Sequence, residues 1–103
     1  MIKRIVTDPQ KSDMGSGFGE FQFENSLTLK DLLDFIRENA KTWGTITIIY
    51  PSGEILRLFD YDLWSKNARR FYYNLSWELK FKVKEAKFSY CFMNEDITIK
   101  LER

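Results

Sequence analysis

The chain has 103 residues, of which 44% are hydrophobic and 17% aromatic, and its formal net charge is +1. This composition supports one packed core and excludes a largely disordered chain, and the near-zero charge excludes a global field that would draw the protein to nucleic acid or membrane. We therefore expect a single domain over residues 1–103 that folds without metal or disulfide staples.

The sequence also predicts the compartment. Cys91 is the only cysteine, so no internal disulfide is possible and a reducing environment is expected. The charged residues near Met1 are not followed by the apolar run of a signal peptide, and no apolar run is long enough to span a membrane. Together these features predict a cytoplasmic protein with no membrane partner.

Two strands are predicted near the start of the chain. Residues 2–7 alternate loosely and include β-branched side chains, which indicates a strand that ends at residues 8–9. Phe21 and Phe23, each flanked by polar residues, indicate a second strand. Residues 10–17 are polar and contain glycine, so a loop is predicted between the two strands.

A helix is predicted next, over residues 29–41. Thr28 suits the N-cap, and Asp31 completes a pair that resembles a capping box. The apolar residues follow the spacing of one buried stripe: Leu29, Leu32, Leu33, Ile36 and Ala40. We expect this stripe to pack on the strands that follow.

A hairpin follows, with strands at residues 45–50 and 54–59. Pro51, Ser52 and Gly53 suit a three-residue loop in which glycine takes the left-handed position. The loop gives these pairs: Tyr50 with Glu54, Ile48 with Leu56, and Ile46 with Leu58. We expect the face of these pairs to lie under the helix and the other face to be only partly covered.

The segment 71–83 carries the strongest strand signal. Every odd position is apolar and every even position except Tyr72 is polar or charged, which is typical of a strand with one buried and one solvated face. The alternative is a helix over residues 76–86, which strict alternation and aromatic content disfavour. The preceding residues 60–70 are predicted either as a short helical turn or as an irregular link.

Two more strands are predicted after this one. Turns at residues 84–87 and 93–96 give a three-stranded meander. The first turn pairs Val83 with Phe88, Phe81 with Tyr90 and Leu79 with Phe92, and the second pairs Phe92 with Ile97, Tyr90 with Ile99 and Phe88 with Leu101. All these side chains fall on one apolar face, and lysines and small polar residues fall on the other.

The predicted order is therefore two strands, a helix, two strands, a link and three strands. This is an α+β fold with a single helix packed on a mainly antiparallel sheet. The strand-strand-helix-strand-strand opening resembles the β-grasp arrangement of ubiquitin-like proteins, and the three later strands depart from it. The resemblance concerns element order and implies nothing about function.

The chain contains no histidine, which excludes Ser-His-Asp and Cys-His catalysis, histidine acid–base chemistry and nearly every common zinc site. Cys91 has no histidine to activate it, so a structural thiol is predicted rather than a reactive one.

Two motifs resemble ligand sites only superficially. The glycine-rich residues 15–19 resemble the phosphate-covering loop of protein kinases, but the other kinase motifs are missing, so a flexible hairpin loop is predicted. The carboxylates at residues 60–62 and 95–96 match no metal-loop signature, and local backbone hydrogen bonds are their expected role. No catalytic residue, cofactor or metal is predicted.

A basic stripe is the most distinctive charged feature. Residues 66–87 contain seven basic residues against two acidic ones. The candidate nucleic-acid ligands are Arg69, Arg70, Lys80, Lys82, Lys84 and Lys87, with Tyr72 available for stacking. Such a sheet face binds single-stranded nucleic acid or RNA. The favoured alternative is that the lysines maintain solubility and discourage edge pairing.

Aromatic residues outside the predicted core indicate a protein partner. No periodicity assigns Trp43 or Trp64 to the core, and two tyrosines lie near them in the predicted fold. The candidate anchors are therefore Trp43, Tyr61, Trp64 and Tyr72. Trp and Tyr are typical anchors of protein interfaces. The alternative is that Trp43 and Trp64 cap the open ends of the core.

The leading hypothesis is a non-enzymatic interaction module that acts as an adaptor, inhibitor or accessory protein by binding another protein. The alternative is a single-stranded nucleic-acid or RNA-binding module that uses the lysine-rich face. A small enzyme is the third hypothesis, and it requires an acid, tyrosine or lysine site in a deep pocket.

Overall fold

The computed structural model describes residues 1–9, 15–24, 26–39, 44–59, 80–91 and 94–102. Within these ranges one helix packs on a six-stranded sheet, which confirms the predicted α+β class. The elements are β1 (Lys3–Pro9), β2 (Ser16–Gln22), α1 (Leu29–Asn39), β3 (Thr45–Ile49), β4 (Ile55–Phe59), β5 (Lys82–Cys91) and β6 (Asn94–Glu102).

The strands lie in the order β1-β2-β5-β6-β3-β4. All neighbours are antiparallel except β3 and β6, which are parallel, so the sheet is mainly antiparallel as predicted. The helix covers one face of the sheet, here called the inner face, and lies closest to β5. The core between them contains Phe21, Leu29, Leu32, Leu33, Ile36, Ile46, Ile48, Val83, Ala86, Phe88, Ile97, Ile99 and Leu101.

The start of α1 forms as the sequence predicts. The Thr28 backbone N–H donates to Asp31 Oδ2, and the Asp31 N–H donates to Thr28 Oγ1, both at 3.3 Å. These two bonds satisfy donors that the first helical turn leaves without partners. The helix ends at Asn39 in the described part of the chain, and residues 40–41 of the predicted helix lie outside it.

The hairpin of β3 and β4 confirms the predicted register. Ile48 pairs with Leu56, Ile46 pairs with Leu58, and the Tyr50 N–H donates to the Glu54 carbonyl at 2.9 Å. The turn has Gly53 at φ 93°, a conformation that side chains with a Cβ rarely adopt. Ile46 and Ile48 are fully buried on the inner face.

The glycine-rich segment lies in β2 rather than in a loop, so the predicted loop is wrong from residue 16 onward. Gly17 and Gly19 lie opposite Tyr90 and Phe88 of β5, and both glycines are buried. A Cβ on Gly19 would overlap the backbone oxygen of Ile5 and lie 2.6 Å from Cζ of Phe88. The glycines therefore leave room for aromatic rings between closely packed strands.

The first turn of the predicted meander is wrong. β5 runs from Lys82 to Cys91 without a break, through the turn predicted at residues 84–87. The alternative helix over residues 76–86 is wrong in its described part for the same reason. Residues 71–79 lie outside the described chain. Residues 88–91 already pair with both β2 and β6, so they have no free edge for the predicted hairpin with the preceding segment.

A β-bulge, not a turn, explains why the buried side chains of this segment change from odd-numbered to even-numbered positions. The register with β6 shifts between Val83 and Glu85, which leaves Lys84 as an extra residue in β5. Buried positions consequently change from the odd-numbered Val83 to the even-numbered Ala86 and Phe88. In the sequence, a turn and a bulge both shift the apolar residues from odd-numbered to even-numbered positions.

The predicted pairing of the last two strands is also wrong, although the described residues of the predicted apolar face do point inward. Phe88 pairs with Ile97 rather than with Leu101, because β6 already begins at Asn94 and the connection from β5 is short. Both registers place the same side chains inward, since they differ by an even number of residues.

Candidate binding face

The outer face is the side of the sheet opposite α1. Residues that lie opposite each other on paired strands share a face, so the register assigns its members. On β2, β5 and β6 they are Ser16, Phe18, Glu20, Lys82, Lys84, Glu85, Lys87, Ser89, Cys91, Asn94, Asp96, Thr98, Lys100 and Glu102, and on β3 and β4 they are Thr45, Thr47, Ile49, Ile55 and Arg57. Within the described ranges no helix or second sheet packs on this face.

Phe18 is an exposed aromatic side chain of this face. It lies opposite Ser89 in the sheet and keeps 45% of its surface exposed. Next to its ring is a depression of about 240 Å³ whose other walls include Lys87, Asp96 and Thr98. An exposed aromatic side chain beside a depression with a polar rim resembles the centre of a protein interface.

Ile55 is the second exposed apolar residue of the outer face. It lies in β4, at the edge of the described sheet, and 57% of its surface is exposed. Ile49, its partner across the hairpin, is half-buried. Among its described side chains, the outer face thus exposes large apolar surface at two separate places, Phe18 and Ile55.

The predicted lysine stripe is on the outer face but is largely balanced by acids. β2, β5 and β6 place four lysines and four acids there: Lys82, Lys84, Lys87 and Lys100 against Glu20, Glu85, Asp96 and Glu102. Glu85 lies 3.0 Å from the ammonium of Lys100 and 3.6 Å from that of Lys87. The hydrogen bond from Lys100, with the nearby positive charges, lowers the pKa of Glu85 below its usual value.

The structure brings together only part of the predicted site residues. Lys82, Lys84 and Lys87 are exposed in β5, and Lys80 is exposed just before that strand. The remaining candidates lie outside the described residues, so their predicted roles stay predictions: Trp43, Tyr61, Trp64, Arg69, Arg70 and Tyr72.

Sequence reasoning missed Phe18 because its neighbours are glycines. Gly17, Gly19 and Phe21 are buried while Phe18 and Gln22 are exposed, which is the period of two expected for a strand. Glycine has no side chain to show that period, so the composition of the segment predicts a loop. The available signal is the alternation of Glu20 and Gln22 with Phe21 and Phe23, which assigns Phe18 to the polar face when it is extended by two residues.

The adjacent acids Glu95 and Asp96, near the start of β6, lie on opposite faces of the sheet. Glu95 points inward, where its Oε1 accepts from Arg4 Nε at 2.9 Å and Nη2 at 2.6 Å. The guanidinium of Arg4 also lies 4.0 Å from the ring centre of Phe88. Asp96 points outward and accepts from the Thr45 N–H and hydroxyl at 3.1 and 2.8 Å. The two carboxylates thus bond residues that lie 91 and 51 positions away in the sequence, so the predicted role in local backbone hydrogen bonds is wrong.

Cys91 is exposed at the last position of β5. The hydroxyl of Ser16 lies 3.3 Å from its sulfur. Among the described residues, no group of three His, Cys, Asp or Glu side chains is placed to hold a metal ion. The described part of the chain likewise contains no helix with the length and apolar character needed to cross a bilayer.

Comparisons with known proteins give no relative for this chain: no family model, curated protein or solved structure matches it.

Proposed function

We propose that this protein is a non-enzymatic, cytoplasmic binding module whose outer face binds another protein. The observation that carries the proposal is Phe18, an aromatic side chain that is 45% exposed beside a depression on an uncovered face of the described sheet. Aromatic residues next to such depressions contribute a large share of binding energy at protein interfaces. A β-sheet face of this kind also holds its side chains rigidly, which lowers the entropic cost of binding.

The charge pattern favours a protein partner over nucleic acid. Glu85 forms ion pairs with Lys87 and Lys100, and the outer-face lysines of β2, β5 and β6 are matched in number by acids. A phosphate backbone would be repelled by these acids, whereas a protein surface can complement both signs of charge. Polar residues around an exposed aromatic also match the usual anatomy of a protein interface.

Site-specific photocrosslinking in the native host tests the proposal. A benzophenone analogue of phenylalanine placed at position 18 is expected to give one discrete protein adduct. The matched control places the same group at Glu38, an exposed residue of α1 on the opposite side of the sheet. The adduct partner, once purified, should bind the wild-type protein but bind Phe18→Ser at least tenfold more weakly, because truncating a central aromatic anchor costs about 2 kcal/mol or more.

Two results would contradict the proposal. The first is the absence of any protein adduct at position 18. The second is the same adducts at positions 18 and 38, which would indicate collisional labelling rather than binding by the outer face.

Nucleic-acid binding is the second candidate, because Phe18 shares the outer face with Lys82, Lys84 and Lys87. Four phosphate contacts would give a log–log salt slope of about −3 on a single strand. We expect instead no micromolar binding of single-stranded DNA or RNA at about 50 mM salt, where phosphate contacts are strong. Fluorescence anisotropy measures this, with the double charge reversal of Lys80 and Lys82 to glutamate as the matched variant. Steep salt-dependent binding that this variant abolishes would establish the nucleic-acid function instead.

A further inference from the structure

A groove of about 460 Å³ lies at the end of the sheet where β5 begins. Its walls come from the β3–β4 turn on one side and from β5 and β6 on the other. The apolar part of the wall includes Ile49 and Pro51, and the charged part is formed by Lys84, Lys100 and Glu102. The groove is open to solvent, and its volume allows a small organic molecule to lie along it.

The β5 bulge places Lys84 at this groove. Bulges redirect side chains and are common beside binding sites. Lys84 is the extra residue of the bulge, so it lies next to Glu85 on the solvated side of the strand instead of alternating with it. Without the bulge, a strand of strict alternation would direct these two neighbours to opposite faces.

The ion pairs of this region leave Lys84 as the available cation of the groove. Glu85 already holds the ammonium of Lys100 at 3.0 Å. Within the described residues Lys84 has no carboxylate within ion-pair distance. A cation beside apolar side chains is a suitable site for an anionic group attached to an apolar body.

We propose that the groove binds a small organic carboxylate, with the anionic group at Lys84 and the apolar part against Ile49 and Pro51. Glu102 limits the charge that the groove accepts, because a second negative charge on the ligand would be repelled. A singly charged carboxylate therefore fits better than a phosphate of higher charge. This site is separate from the depression beside Phe18, and the inference does not depend on the proposed protein partner.

A matched pair of probes tests the inference by ¹H–¹⁵N NMR titration. Hexanoate and hexanamide have the same apolar chain and differ in charge. Hexanoate is expected to shift the amides of Gly53 and Leu101 with a Kd on the order of 10 mM, as fits a ligand of so few atoms. Hexanamide and inorganic phosphate are each expected to bind more weakly by at least threefold, because each lacks one of the two recognised groups.

Two lysine variants locate the cation. Lys84→Met keeps an unbranched side chain and removes the charge, and it should weaken hexanoate binding about three- to fivefold, the value of an exposed ion pair. Lys82→Met is the control, because Lys82 is exposed two residues earlier and is not part of the groove wall. Glu102→Gln should tighten binding by removing a like charge.

Three results would overturn the inference. Equal shifts with hexanoate and hexanamide would show that charge is not recognised, and equal affinities for hexanoate and phosphate would show that the apolar wall is not used. Unchanged binding by Lys84→Met, in a variant whose spectrum shows an intact fold, would place the anion elsewhere.

Discussion

Replacing Leu33 with alanine is expected to lower the free energy of unfolding by about 2–5 kcal/mol, the usual range for a buried leucine. Leu33 is fully buried and belongs to the core cluster that joins α1 to the inner face. The truncated side chain leaves a cavity that helix and sheet can close only by moving together. Chemical denaturation monitored by circular dichroism measures the loss. We expect the denaturant concentration at the midpoint of unfolding to fall, while the slope of the unfolding free energy against denaturant concentration stays unchanged.

The control for this prediction is Glu38→Ala, since Glu38 is exposed on the same helix. Surface substitutions of this kind usually change stability by less than about 0.5 kcal/mol. A similarly small loss for Leu33→Ala would mean that the helix presents a different face to the sheet.

Gly19→Ala is expected to destabilise the protein by about 1–3 kcal/mol or more, although it adds a single methyl group. That methyl would overlap the backbone oxygen of Ile5 and lie 2.6 Å from the ring of Phe88. A ring can turn aside, but a backbone oxygen in a paired strand can move only if β1 shifts with it. Repacking Phe88 alone should therefore not restore the lost stability.

Glu20→Ala is the matched control for Gly19→Ala, because Glu20 is the next residue of β2 and belongs to the outer face. The double variant Gly19→Ala with Phe88→Leu distinguishes the two contacts. Recovery of wild-type stability in the double variant would show that the aromatic ring, and not the approach of β1, requires glycine here.

The parts of the fold that sequence could predict are those specified by neighbouring residues. The register of β3 and β4 follows from the turn, because Gly53 fixes the loop type and the loop fixes every pair beyond it. The start of α1 follows from Thr28 and Asp31, which bond each other three residues apart. In both cases the deciding contacts lie within a few residues along the chain.

The errors concern pairing between distant segments and residues with ambiguous local signals. At Lys84 the buried side chains change from odd-numbered to even-numbered positions, and local sequence does not distinguish a bulge from a turn. Gly17 and Gly19 have a loop-like composition, and only their partners Tyr90 and Phe88 explain why they belong in a strand. Those partners lie on β5, which is remote from β2 in the sequence.

The candidate site was predictable only in its charge. The sequence placed Lys82, Lys84 and Lys87 on a solvated face, and the structure agrees. Their balance by acids depends on neighbours across the sheet, such as the contact of Glu85 with Lys100 on β6. The exposure of Phe18 depends likewise on the pairing of β2 with β5.

The position of β6 has a consequence for the order of folding. Within the described sheet, β6 alone connects β1, β2 and β5 to β3 and β4, and its parallel partner β3 precedes it by a long stretch of chain. Thr45 and Asp96, which bond across this junction, are 51 positions apart. Closing such a distance costs chain entropy before any pair forms, which slows folding. During synthesis the β3–β4 hairpin can form early, but the two halves of the sheet can join only after residues 94–102 have left the ribosome.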